Sequence, residues 1–197
     1  MPDGLTQIGG SRHSLATRGD ELVDTTLIDT RQWDAVRPRF ATVYVENKCH
    51  LACDHCYQSA ASHPRDARLS LADYQRLFDG LAELGVLYLS LTGGEIFLRA
   101  DLFDIVALAR NKRFAVRLYT SGTLIDAAKA DRIRDLKVSE GQVSVYGADP
   151  AVHDAFVGQR GAHERTLHAL ALLRARGVLT VAKTPVMTLN VDALDAI

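Results

Sequence analysis

Three cysteines on one short segment are the residues whose types and spacing most clearly indicate chemistry. Cys49, Cys53 and Cys56 follow the pattern C-x3-C-x2-C, and the chain contains no other cysteine. An odd, tightly grouped set does not suit a disulfide framework. Thiolates prefer soft metals, namely zinc, copper(I) or iron–sulfur clusters. The segment therefore predicts a metal or redox site in which one loop turns three thiolates toward the same object.

The number of cysteines favours an iron–sulfur cluster over zinc. A 4Fe–4S cluster normally takes four protein ligands, so three cysteines leave one iron open to a substrate or cofactor. The alternative is structural zinc held by the three cysteines and either His50 or His55. Zinc modules usually place a second ligand pair about a dozen residues or more away, and His63 is the nearby candidate there. Zinc stays open as the second interpretation.

Two further segments carry polar groups suited to ligand binding. Gly93 and Gly94 permit a close approach of backbone to a ligand, and Glu95 offers a carboxylate to an amino group. The segment Thr120–Thr123 offers hydroxyls, including that of Ser121, and another glycine. Taken alone, the first segment is equally consistent with a tight turn, and the second is more typical of a helix N-cap.

The elements that must position these residues alternate along the chain. Runs rich in β-branched and aromatic residues predict five strands, at Ala41–Glu46, Val86–Leu91, Ala115–Thr120, Gln142–Tyr146 and Val178–Lys183. Capping residues and apolar residues at i+3 and i+4 steps predict helices at Ser70–Gly85, Asp101–Arg110, Leu124–Leu136, His163–Arg176 and, as a first turn, Val191–Ile197. This alternation predicts an α/β fold of parallel βαβ units, either a doubly wound sheet or a barrel.

In both architectures ligands bind where the parallel strands end. The cysteine segment, the Gly-Gly-Glu segment and the hydroxyl segment each follow one of three consecutive predicted strands. On the fourth strand, Ser144 and Tyr146 share one face, where Ser144 is either a small filler or a ligand contact. We therefore expect one site with a soft-metal cluster, an amine-binding carboxylate and hydroxyl donors, which suits an amino acid derivative that chelates the open iron.

Composition and charge narrow the class of protein. Lysine and arginine number 23 and aspartate and glutamate 24, which argues against binding to a nucleic-acid backbone. No apolar run is long enough to span a bilayer, and the N-terminus has no signal-peptide core, so we expect a cytoplasmic protein without a membrane partner. Residues 1–38 predict a polar, partly disordered lead-in, and residues 39–197 predict the core domain.

These motifs together resemble the radical S-adenosylmethionine (SAM) superfamily. The spacing of Cys49, Cys53 and Cys56 is similar to the signature of that family. Gly93–Glu95 follows at the expected distance, and Thr120–Leu124 resembles the family's Thr-Asn-Gly-Thr-Leu segment. The resemblance covers roughly residues 40–190 and implies a partial parallel (β/α) barrel of about five βα units.

The region after the fourth strand resembles a particular branch of that family. Ser144–Gly147, followed by His153, Asp154 and Gly161, is similar to the SPASM/twitch-bearing branch. That branch includes maturases of ribosomal peptides, sulfatase-maturing enzymes and cofactor-precursor enzymes. The resemblance implies an enzyme that reductively cleaves SAM to a 5′-deoxyadenosyl radical, which abstracts hydrogen from a peptide or protein side chain. It also implies an electron donor such as flavodoxin or ferredoxin.

The resemblance also implies roles for individual residues. The three cysteines would bind three irons of a 4Fe–4S cluster, and the amino and carboxylate groups of SAM would chelate the fourth. Gly93, Gly94 and Glu95 would bind the amino end of the methionine part. His55 would lie near the adenine, Ser144 would contact SAM from the fourth strand, and Ser121 would add a hydroxyl to the same cofactor site.

The sequence departs from the family pattern in two places, which concern the residue that binds the SAM carboxylate and the length of the chain. Relatives often place an arginine for the SAM carboxylate three residues after the His-Asp pair, where this chain has Val157, so Arg160 is the nearby substitute. Relatives also have a sixth strand and a cysteine-bearing extension, so we expect this chain to be a truncated core that ends at Ile197. Two alternatives remain: a zinc-stabilised binding module, and a degenerate member that binds SAM or a partner without catalysis.

Overall fold

The chain forms two compact units, which are Met1–Pro38 and Arg39–Ile197. The computed structural model describes residues 16–18, 21–23, 37–56 and 68–196. In the first unit, strands β1 (Ala16–Arg18) and β2 (Glu21–Val23) pair in antiparallel orientation. Most of the lead-in for which we predict partial disorder lies outside the described residues.

The second unit is built on a five-stranded parallel sheet. Its strands are β3 (Phe40–Glu46), β4 (Tyr88–Gly93), β5 (Ala115–Thr120), β6 (Glu140–Ser144) and β7 (Thr180–Lys183). They are hydrogen-bonded in the order β3-β4-β5-β6-β7. A doubly wound sheet reverses its strand order at a switch point, whereas a barrel adds each strand beside the last. The sequential order therefore confirms the predicted partial parallel (β/α) barrel.

Helices connect successive strands. They are α1 (Leu71–Glu83), α2 (Leu102–Asn111), α3 (Ala127–Asp135), α4 (Pro150–Val157) and α5 (Ala162–Ala175), with 3₁₀ helices at Ile96–Leu98 and Val191–Ala196. The predicted capping box is present, because the Ser70 side chain accepts from the Asp73 backbone N–H and the Asp73 carboxylate accepts from that of Ser70. Among the described helices, none has the length and apolar content needed to cross a bilayer.

The two faces of the sheet differ in chemistry. Alternate residues that face the helices are apolar and buried, including Leu91, Leu118 and Val143, each at most 1% exposed. The other face carries polar and aromatic residues such as Tyr119 and Ser144. Because the described helices pack on the first face, the apolar core lies between sheet and helices, and in the described part of the chain the second face lines a cavity.

The structure differs from the sequence prediction at several boundaries. Helix α4 was not predicted, because eight residues that start at Pro150 are too few for a clear periodicity. Strand β4 begins at Tyr88 rather than Val86, since Val86 packs in the core while its N–H bonds to the Leu81 carbonyl. Strand β6 begins earlier than predicted, at Glu140, a charged residue tolerated inside the sheet because its carboxylate lies 3.2 Å from Arg117 Nε.

Candidate cluster and cofactor site

A cavity of about 250 Å³ lies at the C-terminal edge of the parallel sheet. Parallel sheets bind ligands at this edge because the loops that follow every strand gather there. The lining residues are Cys49, Leu51, Cys53, His55, Cys56, Thr92, Gly93, Gly94, Tyr119, Thr120, Ser121, Ser144, Tyr146, Lys183 and Pro185. The three predicted loops therefore meet at one cavity, as their positions after consecutive strands require.

The three cysteines lie on the loop that follows β3 and form no disulfide with one another. All three thiols are half-buried. Burial raises the pKa of Cys49, and it raises the pKa of Cys53 to about 12, so these groups are protonated in the metal-free chain at neutral pH. A soft metal binds the thiolate form, and binding therefore releases these protons.

The cysteine loop is held by main-chain hydrogen bonds to helix α4. The Ala52 N–H donates to the Val157 carbonyl at 3.0 Å, and the Asp54 N–H donates to the Phe156 carbonyl at 3.1 Å. Both acceptors belong to the last turn of α4, where carbonyls have no partner within the helix. The helix that sequence periodicity missed is thus the element that positions the segment between the first and third cysteines.

Gly93 and Gly94 bring the end of β4 against the start of the cysteine loop. The Gly94 N–H donates to the Glu46 carbonyl at 2.7 Å, and the Glu95 N–H donates to the Lys48 carbonyl at 2.8 Å. A Cβ at Gly93 would lie 2.0 Å from the Glu46 carbonyl oxygen, and one at Gly94 would lie 2.3 Å from that of Lys48. The neighbouring backbone therefore requires glycine at both positions. The absence of these two side chains also leaves their backbone accessible in the cavity lining.

Glu95 is fully buried and its carboxylate accepts four hydrogen bonds from the protein. One oxygen accepts from the Thr120 hydroxyl at 2.7 Å and from the Phe97 N–H at 3.2 Å. The other accepts from the Ser121 hydroxyl at 2.6 Å and the Ser121 N–H at 3.0 Å. Glu95 does not line the cavity, so its predicted contact with the SAM amino group stays a prediction, and its observed role is to join two loops.

Two histidines of the cysteine loop occupy different surroundings. His50 Nε2 lies 2.8 Å from the Thr123 hydroxyl. His55 packs against Tyr146 and Phe156, with ring centroids 5.1 and 4.9 Å away. Burial lowers the pKa of both histidines, which favours neutral rings. His55, Tyr146 and Phe156 therefore form an aromatic surface beside the thiols, suited to a flat heterocycle such as adenine.

Most of the residues predicted from the sequence line this cavity. They are Cys49, Cys53, Cys56, His55, Gly93, Gly94, Ser121 and Ser144. Arg160 is exposed and does not line it, and the side chain of Val157 is buried in an apolar cluster. Sequence reasoning assigned no role to Tyr119 and Lys183, which line the cavity at the ends of β5 and β7. Their position at the C-terminal ends of predicted strands was the available signal.

The described residues contain no group of three or more His, Cys, Asp or Glu side chains arranged around a single metal ion. His50, one candidate for the fourth zinc ligand, instead bonds to Thr123. His55, the other candidate for that ligand, packs against Tyr146 and Phe156, and His63, the candidate for a second ligand pair, lies outside the described residues.

The fold and the cavity define a class of protein: a parallel (β/α) barrel that carries a thiol triplet at its ligand-binding edge. The model of the radical SAM superfamily matches residues 43–196, which is most of the chain. The chain belongs to the radical SAM superfamily, whose enzymes use a 4Fe–4S cluster and SAM.

The curated proteins that this chain resembles include a heme synthase and a peptide cyclase. The chain is 32% identical to the AdoMet-dependent heme synthase of Nitratidesulfovibrio vulgaris over 134 residues, which are 68% of this chain and 36% of that protein. It is 31% identical to the PqqA peptide cyclase of Ruegeria pomeroyi over 149 residues, which are 76% of this chain and 40% of that protein. The chain thus spans between a third and two fifths of the length of these relatives.

Among solved structures, the fold is similar to that of SuiB from Streptococcus suis bound to its precursor peptide SuiA. The TM-score is 0.66 at 18% identity, and the match covers 74% of this chain and 32% of SuiB. This likeness confirms the α/β fold of five parallel strands with alternating helices.

The chemistry of the cavity fits the two cofactors of the family. Three soft donors lie on one wall, and the thiols have no partner among the other cysteines. The hydroxyls of Ser121 and Ser144 and the backbone of Gly94 lie on other parts of the lining. Soft ligands for iron and polar groups for an amino acid moiety are therefore combined in one place.

Proposed function

We propose that this chain is the core of a radical SAM enzyme that modifies a peptide or protein, with Cys49, Cys53 and Cys56 as the cluster ligands. The observation that carries the proposal is that the thiol triplet, the glycine loop and the strand-end hydroxyls line one cavity. When bound, the reduced cluster supplies the electron that cleaves SAM into methionine and a 5′-deoxyadenosyl radical. Residues 39–197 form the core domain in this proposal, and residues 1–38 form a separate lead-in.

The residues of the chain bind and orient the reactants. The backbone of Gly93 and Gly94 and the hydroxyls of Ser121 and Ser144 hold the methionine part of SAM, while Glu95 fixes the position of Ser121. The ring of His55, supported by Tyr146 and Phe156, packs against the adenine. These packed aromatic rings also exclude water, which protects a reactive radical from side reactions.

A peptide or protein is the substrate class that we propose. One relative is named a PqqA peptide cyclase, and the similar SuiB structure contains a precursor peptide. A tetrapyrrole is the second candidate, because another relative of comparable identity is named a heme synthase. A one-electron donor such as flavodoxin or ferredoxin completes the reaction, since cleavage of SAM consumes an electron.

Anaerobic reconstitution with iron and sulfide tests the proposal. We expect brown protein with about four irons per chain, a changed EPR spectrum of the reduced cluster when SAM is added, and formation of 5′-deoxyadenosine with a reductant. Each of Cys49→Ser, Cys53→Ser and Cys56→Ser should lower iron content and abolish SAM cleavage. Colourless protein with one tightly bound zinc would overturn the proposal in favour of a zinc module. Full cluster content without 5′-deoxyadenosine would favour a SAM-binding protein without catalysis.

A further inference from the structure

Lys183 is the cationic side chain on the wall of the cysteine cavity. Among the described residues that line this cavity, it is the single lysine or arginine, and none is an aspartate or glutamate. It is the last residue of β7 and is paired in register with Ser144 of β6, so both side chains project from the same face of the sheet. Its charge therefore lies at the edge where ligands bind.

The backbone around Lys183 is fixed. The Val145 N–H donates to the Lys183 carbonyl at 3.0 Å, and the Thr184 hydroxyl donates to the Val145 carbonyl at 2.7 Å. The ammonium Nζ lies 4.8 Å from the centroid of the Tyr119 ring, another wall of the cavity. The base of the side chain is therefore held by Val145, which directly follows β6, while its end is directed over Tyr119 of β5.

Among the described residues, the ammonium group of Lys183 has an aromatic ring as its neighbour and no anion. No carboxylate of the described residues forms an ion pair with Lys183. Cation–π contacts of accessible lysines are weaker than hydrogen bonds between an ammonium and a carboxylate. A carboxylate that enters the cavity would therefore find an available cation, and such a group needs one because an unpaired buried charge is costly.

We propose that Lys183 binds a carboxylate of the molecule held in this cavity, either that of SAM or that of an acidic substrate. Arg160, which the sequence led us to expect at the SAM carboxylate, lies outside the lining of the cavity, whereas Lys183, which is also exposed, is part of it. If the carboxylate belongs to SAM, the inference rests on the proposed function. If it belongs to an acidic substrate, the inference requires only the cavity and the charge of Lys183.

Binding measurements separate the two sources. On reconstituted protein, equilibrium dialysis would compare SAM with decarboxylated SAM, which lacks only the carboxylate. If the carboxylate is that of SAM, Lys183→Met weakens SAM at least ~10-fold, as loss of a charge-assisted hydrogen bond implies. Decarboxylated SAM binds both proteins equally, and Lys183→Arg retains most of the affinity. Lys137→Met, a lysine of the turn before β6 at the opposite edge, serves as the control and should bind SAM as the unmodified chain does.

If the carboxylate belongs to an acidic substrate, its binding should protect the Lys183 amine from chemical acetylation, and mass spectrometry measures the acetylation rate. N-acetylglutamate amide should slow acetylation of Lys183 but not of Lys137, and the neutral N-acetylglutamine amide should slow neither. Unchanged SAM affinity in Lys183→Met together with no protection by N-acetylglutamate amide would overturn the inference. If the unmodified chain fails to bind SAM, the proposed function fails, and the acetylation experiment on the chain without cofactors still decides the role of Lys183.

Discussion

Glu95 and Ser121 are joined through a single carboxylate oxygen, which accepts the Ser121 hydroxyl at 2.6 Å and the Ser121 N–H at 3.0 Å. Glu95 directly follows the glycine pair at the end of β4, and Ser121 directly follows β5. This pair therefore fixes the distance between two loops that line the cavity. Because Glu95 is fully buried, the protein must satisfy this carboxylate internally.

Glu95→Gln should destabilise the protein even before any cofactor binds. The amide has one acceptor oxygen and brings two hydrogens, so two of the four donors around Glu95 would lose their acceptor. We expect the free energy of unfolding to fall by about 2–3 kcal/mol, as measured by chemical denaturation of the metal-free chain. Glu83→Gln, at an exposed glutamate in the last turn of α1, is the control and should change stability by less than about 0.5 kcal/mol. Equal stability of the two variants would contradict the structural role.

Gly94→Ala should displace the cysteine loop without altering a cysteine. The new Cβ would lie 2.3 Å from the Lys48 carbonyl oxygen, so the two backbones must separate. We expect a loss of about 3 kcal/mol and reduced iron per chain after reconstitution. Gly80→Ala is the matched control, because Gly80 lies inside α1 with no atom within 4 Å of a new Cβ, and it should stabilise the chain by about 1 kcal/mol. Normal iron content in Gly94→Ala would show that the close approach is dispensable.

Gly158→Ala tests the anchoring of the cysteine loop on α4. Gly158 has φ +66° at the helix end, and its Cβ would lie 3.3 Å from both Cβ and the carbonyl oxygen of Ala52. Gly177 has a similar φ of +70° but no atom within 4 Å of a new Cβ. Both alanine variants should lose about 1 kcal/mol from backbone strain. Only Gly158→Ala should also lower the yield of loaded cluster, and an equal yield in both variants would argue against anchoring by α4.

His153 should make stability depend on pH. It is 1% exposed, and its Nδ1 accepts a hydrogen bond from the Tyr146 N–H. Burial, and to a smaller extent the charge of the neighbouring His163, lowers the pKa of His153 to about 4. The unfolded chain has a histidine pKa near 6.5, so it binds more protons than the folded chain between about pH 6.5 and 4. This contribution to stability is complete above pH 6.5 and is lost as the pH falls through that window, by about 3 kcal/mol in all.

Thermal unfolding of the metal-free chain between pH 7 and 4 measures this effect. His153→Asn keeps an acceptor near the Tyr146 N–H but does not titrate, so its melting temperature should fall less across the window. His168→Asn, at an exposed position of α5, should retain the full dependence. The interpretation is wrong if both variants respond to pH as the unmodified chain does.

Local features of this protein could be predicted from the sequence. The capping box at Ser70, the alternation of strands and helices, and the spacing of Cys49, Cys53 and Cys56 are all determined within a few residues. Such features leave a direct pattern in the chain. The position of three polar segments after consecutive strands also predicted their meeting at one edge, because parallel strands all end on the same side.

The barrel-like strand order, the role of Glu95 and the place of Lys183 were decided by the tertiary structure. Whether the sheet is doubly wound or sequential depends on which strands pair across long separations in the chain, and strand periodicity is the same in both. The bonds of Glu95 depend on the approach of β5, and the contact of the cysteine loop with α4 joins segments about a hundred residues apart. The sequence by itself thus determined the chemical groups and their edge of the sheet, while long-range packing decided which of them face the cavity and which hold its walls.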